Sequence, residues 1–188
     1  MELDGGILAG LVRPGARIAL ADGCGSPRTA YPVLSALARE RGDLRLVTGW
    51  LPGPADGLDL DAFADARTIM PGWGLRRAAD AGHVRAVPAR LSAVPALMTG
   101  PLRPDVLVVA AAPGPVGPVL GAEVSWVRAV IDLGVPLAVV LDPDLPRAAA
   151  GAPLPDEQVF VLGETTGGPH VLATPPAPTA EHEAIGGH

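Results

Sequence analysis

The chain contains no lysine: all 14 of its basic residues are arginine, against 20 acidic ones, for a net charge of −6 over 188 residues. The arginines form no run, which argues against a nucleic-acid surface and reads as a coding bias. Aromatic residues make up only 3% of the sequence while apolar residues reach 48%, so the core must be layered Val, Leu, Ile and Ala. A single cysteine excludes an internal disulfide framework and fits a reducing compartment. With so few thiols and no His-x-x-x-His spacing, no zinc site is expected. No apolar stretch approaches the ~18 residues that would span a bilayer. The opening Met-Glu-Leu-Asp lacks the basic n-region of a signal peptide. These absences predict a soluble, cytoplasmic protein that engages neither nucleic acid nor membrane.

What is abundant is glycine (24) and proline (22), placed mostly between apolar runs. They act there as punctuation, and the body reads as folded. Strands are predicted at residues 16–21, 44–48, 68–70, 83–87, 105–112 and 136–141. Helices are predicted at 26–41, 59–66, from 74 to 81, 92–99 and 125–133. In the first of these, Ala30, Val33, Leu34, Leu37 and Ala38 share one face, and Gly42 is the stop. The run Val106 to Ala110 is apolar on both faces, as a central parallel strand should be. Alternating strands and helices predict an α/β fold: one open, mainly parallel sheet with helices on both faces. Residues 1–162 form the predicted domain; residues 163–188, rich in Gly, Pro, Thr and Ala, read as a linker or tail with extended backbone.

The first strand runs into Asp22-Gly23-Cys24-Gly25-Ser26-Pro27. Gly23 and Gly25 permit a sharp turn and close approach of a ligand to backbone N–H groups. Ser26 is a good N-cap and Pro27 suits a first helical position. With Arg28 beside it, the turn would favour phosphate, carboxylate or an oxyanion; an ordinary strand-to-helix junction fits equally well. A dinucleotide fingerprint does not, because Arg28 stands where its third glycine belongs and no ribose-binding acid follows the second strand. Cys24 reads as a small packed thiol. Trp50 and Trp73 fall in loops after strands and read as loop anchors.

Several segments together resemble the N-terminal domain of the acetyl-CoA hydrolase/transferase family, within the family I CoA-transferases. They are Asp22 to Pro27, Pro88 to Pro95 (Pro-Ala-Arg-Leu-Ser-Ala-Val-Pro), Asp105 to Pro113, Gly117 to Gly121, and Pro146-Arg147. Their order and spacing cover roughly residues 15–160. The resemblance implies a CoA-transferase-like α/β domain, the first of two, with the active site in the cleft between them. It implies ligand contacts from Gly23, Gly25, Ser26, Arg28, Gly117 and Gly121. In that family a second-domain glutamate attacks the acyl-CoA thioester, and water or an acceptor carboxylate completes hydrolysis or transfer. No residue here matches that glutamate; Glu40, Glu123, Glu157 and Glu164 lie elsewhere. Glu183 to His188 look like the entry to the second domain.

The expected protein is therefore the N-terminal half or subunit of a CoA-transferase or acyl-CoA hydrolase, inactive alone. Coenzyme A thioester would be substrate, with no permanently bound cofactor. The partners would be a second domain or subunit bearing the glutamate, acyl-CoA and a small carboxylate. The alternative is a non-catalytic remnant or a regulatory domain binding acyl-CoA or an anion. An isomerase of the related sugar-phosphate fold group would need a base that cannot be placed. Two departures from the family matter: Asp142 replaces a usual asparagine, and Gly114-Pro115-Val116 replaces a stretch that commonly holds an acidic residue.

Overall fold

The structure, a computed structural model, describes residues 3–121, 125–147, 151–166 and 177–186. Seven parallel strands form one sheet in the order β4-β3-β2-β1-β5-β6-β7. They are β1 (Arg17–Leu20), β2 (Arg45–Thr48), β3 (Asp65–Thr68), β4 (Arg85–Ala86), β5 (Val106–Ala111), β6 (Leu137–Leu141) and β7 (Val159–Glu164). The helices are α1 (Gly5–Leu11), α2 (Tyr31–Arg41), α3 (Arg76–Asp80), α4 (Val94–Thr99), α5 (Val127–Ile131) and α6 (Ala180–Gly186).

Alternation along the strands divides the core in two. Ile18, Leu20, Leu46, Val108 and Val140 point to one face, where Leu8 of α1, Leu34 of α2 and Ala78 of α3 cover them. Ala19, Val47, Leu107, Val109 and Val139 point to the other, under Met98 of α4 and Val130 of α5. Both faces of the central strands are thus buried, which explains why β5 and β6 are nearly continuous Val, Leu and Ala. The open α/β architecture with helices on both faces is as the sequence predicts. Among the described residues, no helix is long and apolar enough to cross a membrane.

Local chemistry corrects several element boundaries. Residues 28–30 form a 3-10 turn before α2, which starts at Tyr31 with Pro32 in its first turn. The helix ends as expected: Gly42 takes φ +72° and its N–H bonds the Ala38 carbonyl at 2.8 Å. The expected helix over residues 59–66 is only a 3-10 turn at Leu60–Ala62, capped by the Asp59 side chain. Its last two residues instead open β3, three residues before the expected strand at 68–70, because Asp65 to Thr68 pair in register with Arg45 to Thr48.

Strand β7 is absent from the sequence reading; it pairs along β6 from Val159 to Glu164, crossing the expected tail boundary. Helix α6 lies where extended backbone is expected. Thr179 starts it, its Oγ1 accepting the His182 N–H while the Thr179 N–H donates to His182 Nδ1, a reciprocal cap. Every residue of α6 is exposed. The rest of the expected extended stretch, residues 167–176, lies outside the described residues, as does Glu123.

Candidate functional site

Strand order reverses between β1 and β5: the chain leaves β1 for β2, β3 and β4, then returns to β5 on the opposite side. Loops after β1 and β5 therefore diverge, and open α/β sheets place ligands in the crevice this creates at the carboxyl edge. Ala21 still pairs with the sheet, its N–H bonding the Val108 carbonyl at 2.9 Å. The next residue, Asp22, is only 8% exposed. Its Oδ2 accepts both the Trp50 N–H and the Trp126 indole N–H at 3.1 Å. The Gly23 N–H donates to the Trp50 carbonyl at 2.7 Å. One buried carboxylate thus clips the loops after β1 and β2 to the helical region before α5.

In and just after the Asp22 to Pro27 turn, three N–H groups are engaged within the protein. The Gly23, Ser26 and Arg28 N–H groups all donate to backbone carbonyls, those of Trp50, Gly23 and Ser26. Ser26 caps no helix, since its hydroxyl pairs with the buried Tyr31 hydroxyl at 2.8 Å. At the crevice the turn presents Gly25 and the side chains of Ser26 and Arg28. Gly23 takes φ +73°, a conformation that favours glycine.

Burial pushes the Tyr31 hydroxyl above its usual range; Asp22 adds to that, while the Ser26 bond and Arg28 oppose it. The neutral phenol is therefore favoured by folding. Its contribution is complete below the unfolded value near pH ~10 and is lost as pH rises through the raised folded value. Melting temperature measured across pH 9–11 is expected to fall more steeply for the natural protein than for Tyr31→Phe. Parallel curves would show that Tyr31 does not carry the alkaline limb.

Beside this turn lies a crevice of about 210 Å³, on the face that carries Val140. Gly25, Ser26, Arg28 and Thr29 form one wall; Asp142, Thr165 and Thr166 form the other, over a floor of Ala110 and Val140. Asp142 follows β6 and is 4% exposed. Its Oδ1 accepts the Asp144 N–H at 3.0 Å, while Oδ2 has no donor among the described residues.

Of the six residues expected to contact a ligand, Gly25, Ser26 and Arg28 meet at this crevice. Gly23 is held inside the clip. Gly117 and Gly121 are not among the crevice's lining residues and lie close to the following loop: a Cβ on Gly117 would lie 3.2 Å from Asp156 Oδ1, and one on Gly121 3.3 Å from the Pro146 carbonyl. Their loop is closed by a two-bond bridge between Ala112 and Val119. Thr29, Thr165 and Thr166 escaped the sequence reading. The last two follow β7, whose signal is the apolar run Val159-Phe160-Val161-Leu162.

A second, larger hollow of about 680 Å³ lies along the same edge, between the loops after β2 and β3. Trp73, 72% exposed, stands at its side and meets Trp50 edge-to-face at 6.3 Å. Met70, Trp73, Leu91 and Val116 are all exposed apolar residues in segments that follow strands. In an all-parallel sheet such segments share one edge, so this apolar exposure is concentrated there.

No protein-family model matches the sequence, and no curated protein matches it. Solved structures do share the fold. RipA from Yersinia pestis aligns over 95% of this chain with a TM-score of 0.70 and 17% identity. The 4-hydroxybutyrate CoA-transferase from Porphyromonas gingivalis aligns over 93% with a TM-score of 0.55 and 15% identity. The chain spans only 44% of the first and 41% of the second. It also aligns over 88% of its length with a chain from a variant of the decarboxylase AibA/AibB, at a TM-score of 0.50 and 18% identity, and there covers 82% of that chain. The chain thus shares its α/β fold with less than half of RipA and of the 4-hydroxybutyrate CoA-transferase.

Proposed function

We propose that this chain is the N-terminal half or subunit of a CoA-transferase or acyl-CoA hydrolase. A separate second domain supplies the nucleophilic glutamate, and the carboxyl edge of the sheet is where that domain docks. The observation that carries this reading is the crevice at the strand-order reversal, in a chain that matches less than half of the larger structures sharing its fold. Exposed Trp73 and Val116 on the same edge supply the apolar area that a domain interface buries. The acetyl-CoA hydrolase/transferase family remains the assignment supported by the motifs quoted above. Coenzyme A thioester enters as substrate, and a cytoplasmic setting fits the single reduced cysteine.

One observation favours the alternative, a binding domain for acyl-CoA or anions without chemistry. Val116 is 78% exposed in the loop where the resembling family commonly carries an acidic residue.

The purified chain alone is expected to show no turnover of acetyl-CoA or butyryl-CoA, with or without acetate as acceptor. Without a carboxylate at the reacting carbonyl, no acyl-enzyme or enzyme-CoA thioester forms. Adding a separately expressed second domain of the resembling family should bring turnover and a hydroxylamine-trappable glutamyl thioester on that domain. Turnover by the chain alone overturns the separate nucleophile. Acyl-CoA binding with no turnover in any pairing supports the binding-domain reading.

A further inference from the structure

The crevice beside the Ser26 turn carries a demand of its own. Asp142 is 4% exposed, yet only one of its two carboxylate oxygens is used: Oδ1 takes the Asp144 N–H, and Oδ2 meets no donor among the described residues. The residue forms part of the crevice wall. In that wall, Oδ2 is the side-chain oxygen left to accept from a ligand. A carboxylate can only accept, and a ligand that covers it without offering a donor strips it of water at a cost. The remaining polar side chains of the wall, Ser26, Thr29, Thr165 and Thr166, are hydroxyls that can turn to donate or accept. Arg28 brings positive charge to the mouth.

We propose that this crevice selects short carboxylic acids carrying a hydrogen-bond donor, a hydroxyl or an ammonium, a few bonds from the carboxylate, with Asp142 Oδ2 accepting from that donor. This rests on reading the crevice as the seat of the small carboxylate. Its volume of about 210 Å³ lies below the roughly 300–1,000 Å³ of sites for drug-sized ligands and suits an acid of a few carbons. A plain alkyl acid would leave Oδ2 unpaired. A keto acid would set one acceptor against another, which is worse. A site built to pair a polar group discriminates strongly against ligands that lack it.

The test needs no thioester and no second domain. Ligand-observed NMR titrations of the intact chain would compare butyrate, 3-hydroxybutyrate, 4-aminobutyrate and acetoacetate. The donor-bearing acids are expected to bind about tenfold or more tightly than butyrate, and acetoacetate no better than butyrate. In Asp142→Asn the amide can donate, so the ratio of 3-hydroxybutyrate to acetoacetate affinity should fall at least several-fold; 4-aminobutyrate should lose most of its advantage. Binding of 4-aminobutyrate without 3-hydroxybutyrate would assign an ammonium, and the reverse a hydroxyl. Equal affinity for all four acids, or no binding by the natural chain, overturns the proposal, whether or not Asp142→Asn folds. Selective binding by a chain that supports no CoA transfer in any pairing would leave this inference standing while the transferase reading fell.

Discussion

Replacing Gly49 with alanine should destabilise the protein by about 2–4 kcal/mol, among the costlier single substitutions available in this fold. The position immediately follows β2, and a Cβ built there would lie 1.7 Å from Asp22 Oδ2 and 2.7 Å from its Cγ. The backbone cannot yield easily, because Asp22 is tied through Ala21 to the Val108 carbonyl and through Gly23 to the Trp50 carbonyl. The carboxylate must therefore swing away. It then loses the N–H donors of Trp50 and Trp126, and buried groups stripped of partners bear the full desolvation cost. Gly10, in α1, is the control: nothing lies within 4 Å of its added Cβ. There alanine should be neutral or stabilising by up to about 1 kcal/mol. Urea unfolding of the two variants measures the contrast. A loss below about 0.5 kcal/mol for Gly49→Ala would mean that the Asp22 clip yields freely.

This clip also marks where the sequence stops being readable. Periodicity exposes which residues share a face, so the doubly buried strands β5 and β6 and the helix ending at Gly42 stand out from composition alone. Pairing between distant segments leaves no such trace. Asp65 and Ala66 read as the end of a helix, with a strand only from Thr68, because Asp59, Ala62 and Ala66 allow a helix locally; the neighbouring β2 overrides that preference by offering four paired residues. Strand β7 was hidden for a related reason. It is an edge strand with exposed Phe160 and Val161, a register shift opposite Val139 and Val140, and Gly163 within it. Its apolar run is therefore only four residues long, Val159 to Leu162, and breaks at Gly163. Thr179 and His182 form a reciprocal helix start that the preceding prolines mask.

The candidate site was legible at one wall. Glycine and proline around Ser26 announce a strand-to-helix turn at a ligand-binding edge, and Gly25, Ser26 and Arg28 do stand at the crevice. The chemistry of that turn was not legible. Whether an N–H is available depends on carbonyls far along the chain, and here the Trp50 carbonyl takes that of Gly23. The opposite wall comes from Asp142, Thr165 and Thr166, contributed by β6 and by the strand that the sequence hid. Gly117 and Gly121 mark a tight loop, and tightness alone does not say whether a glycine admits a ligand or its own neighbours. In this fold it admits Asp156 and Pro146.

Trp126 offers the other large expected effect, because it joins packing to the site. The side chain is 1% exposed and packs in the cluster that holds Val127, Val130 and Leu107, while its indole N–H reaches across 104 residues to Asp22. Trp126→Ala should cost about 3–5 kcal/mol through the cavity it leaves. Trp126→Phe keeps most of the ring and removes the donor, so it should cost about 1.5–3 kcal/mol, the range of a hydrogen bond to a charged acceptor. The two variants separate packing from the clip. If the clip holds the Ser26 turn in place, Trp126→Phe should also speed amide exchange at Gly23, whose N–H bonds the Trp50 carbonyl, while leaving exchange in β6 unchanged. Equal acceleration in both places would make Trp126 a general core residue. Acceleration confined to the turn would make it a positioning residue, acting through Asp22 on the wall that faces the ligand.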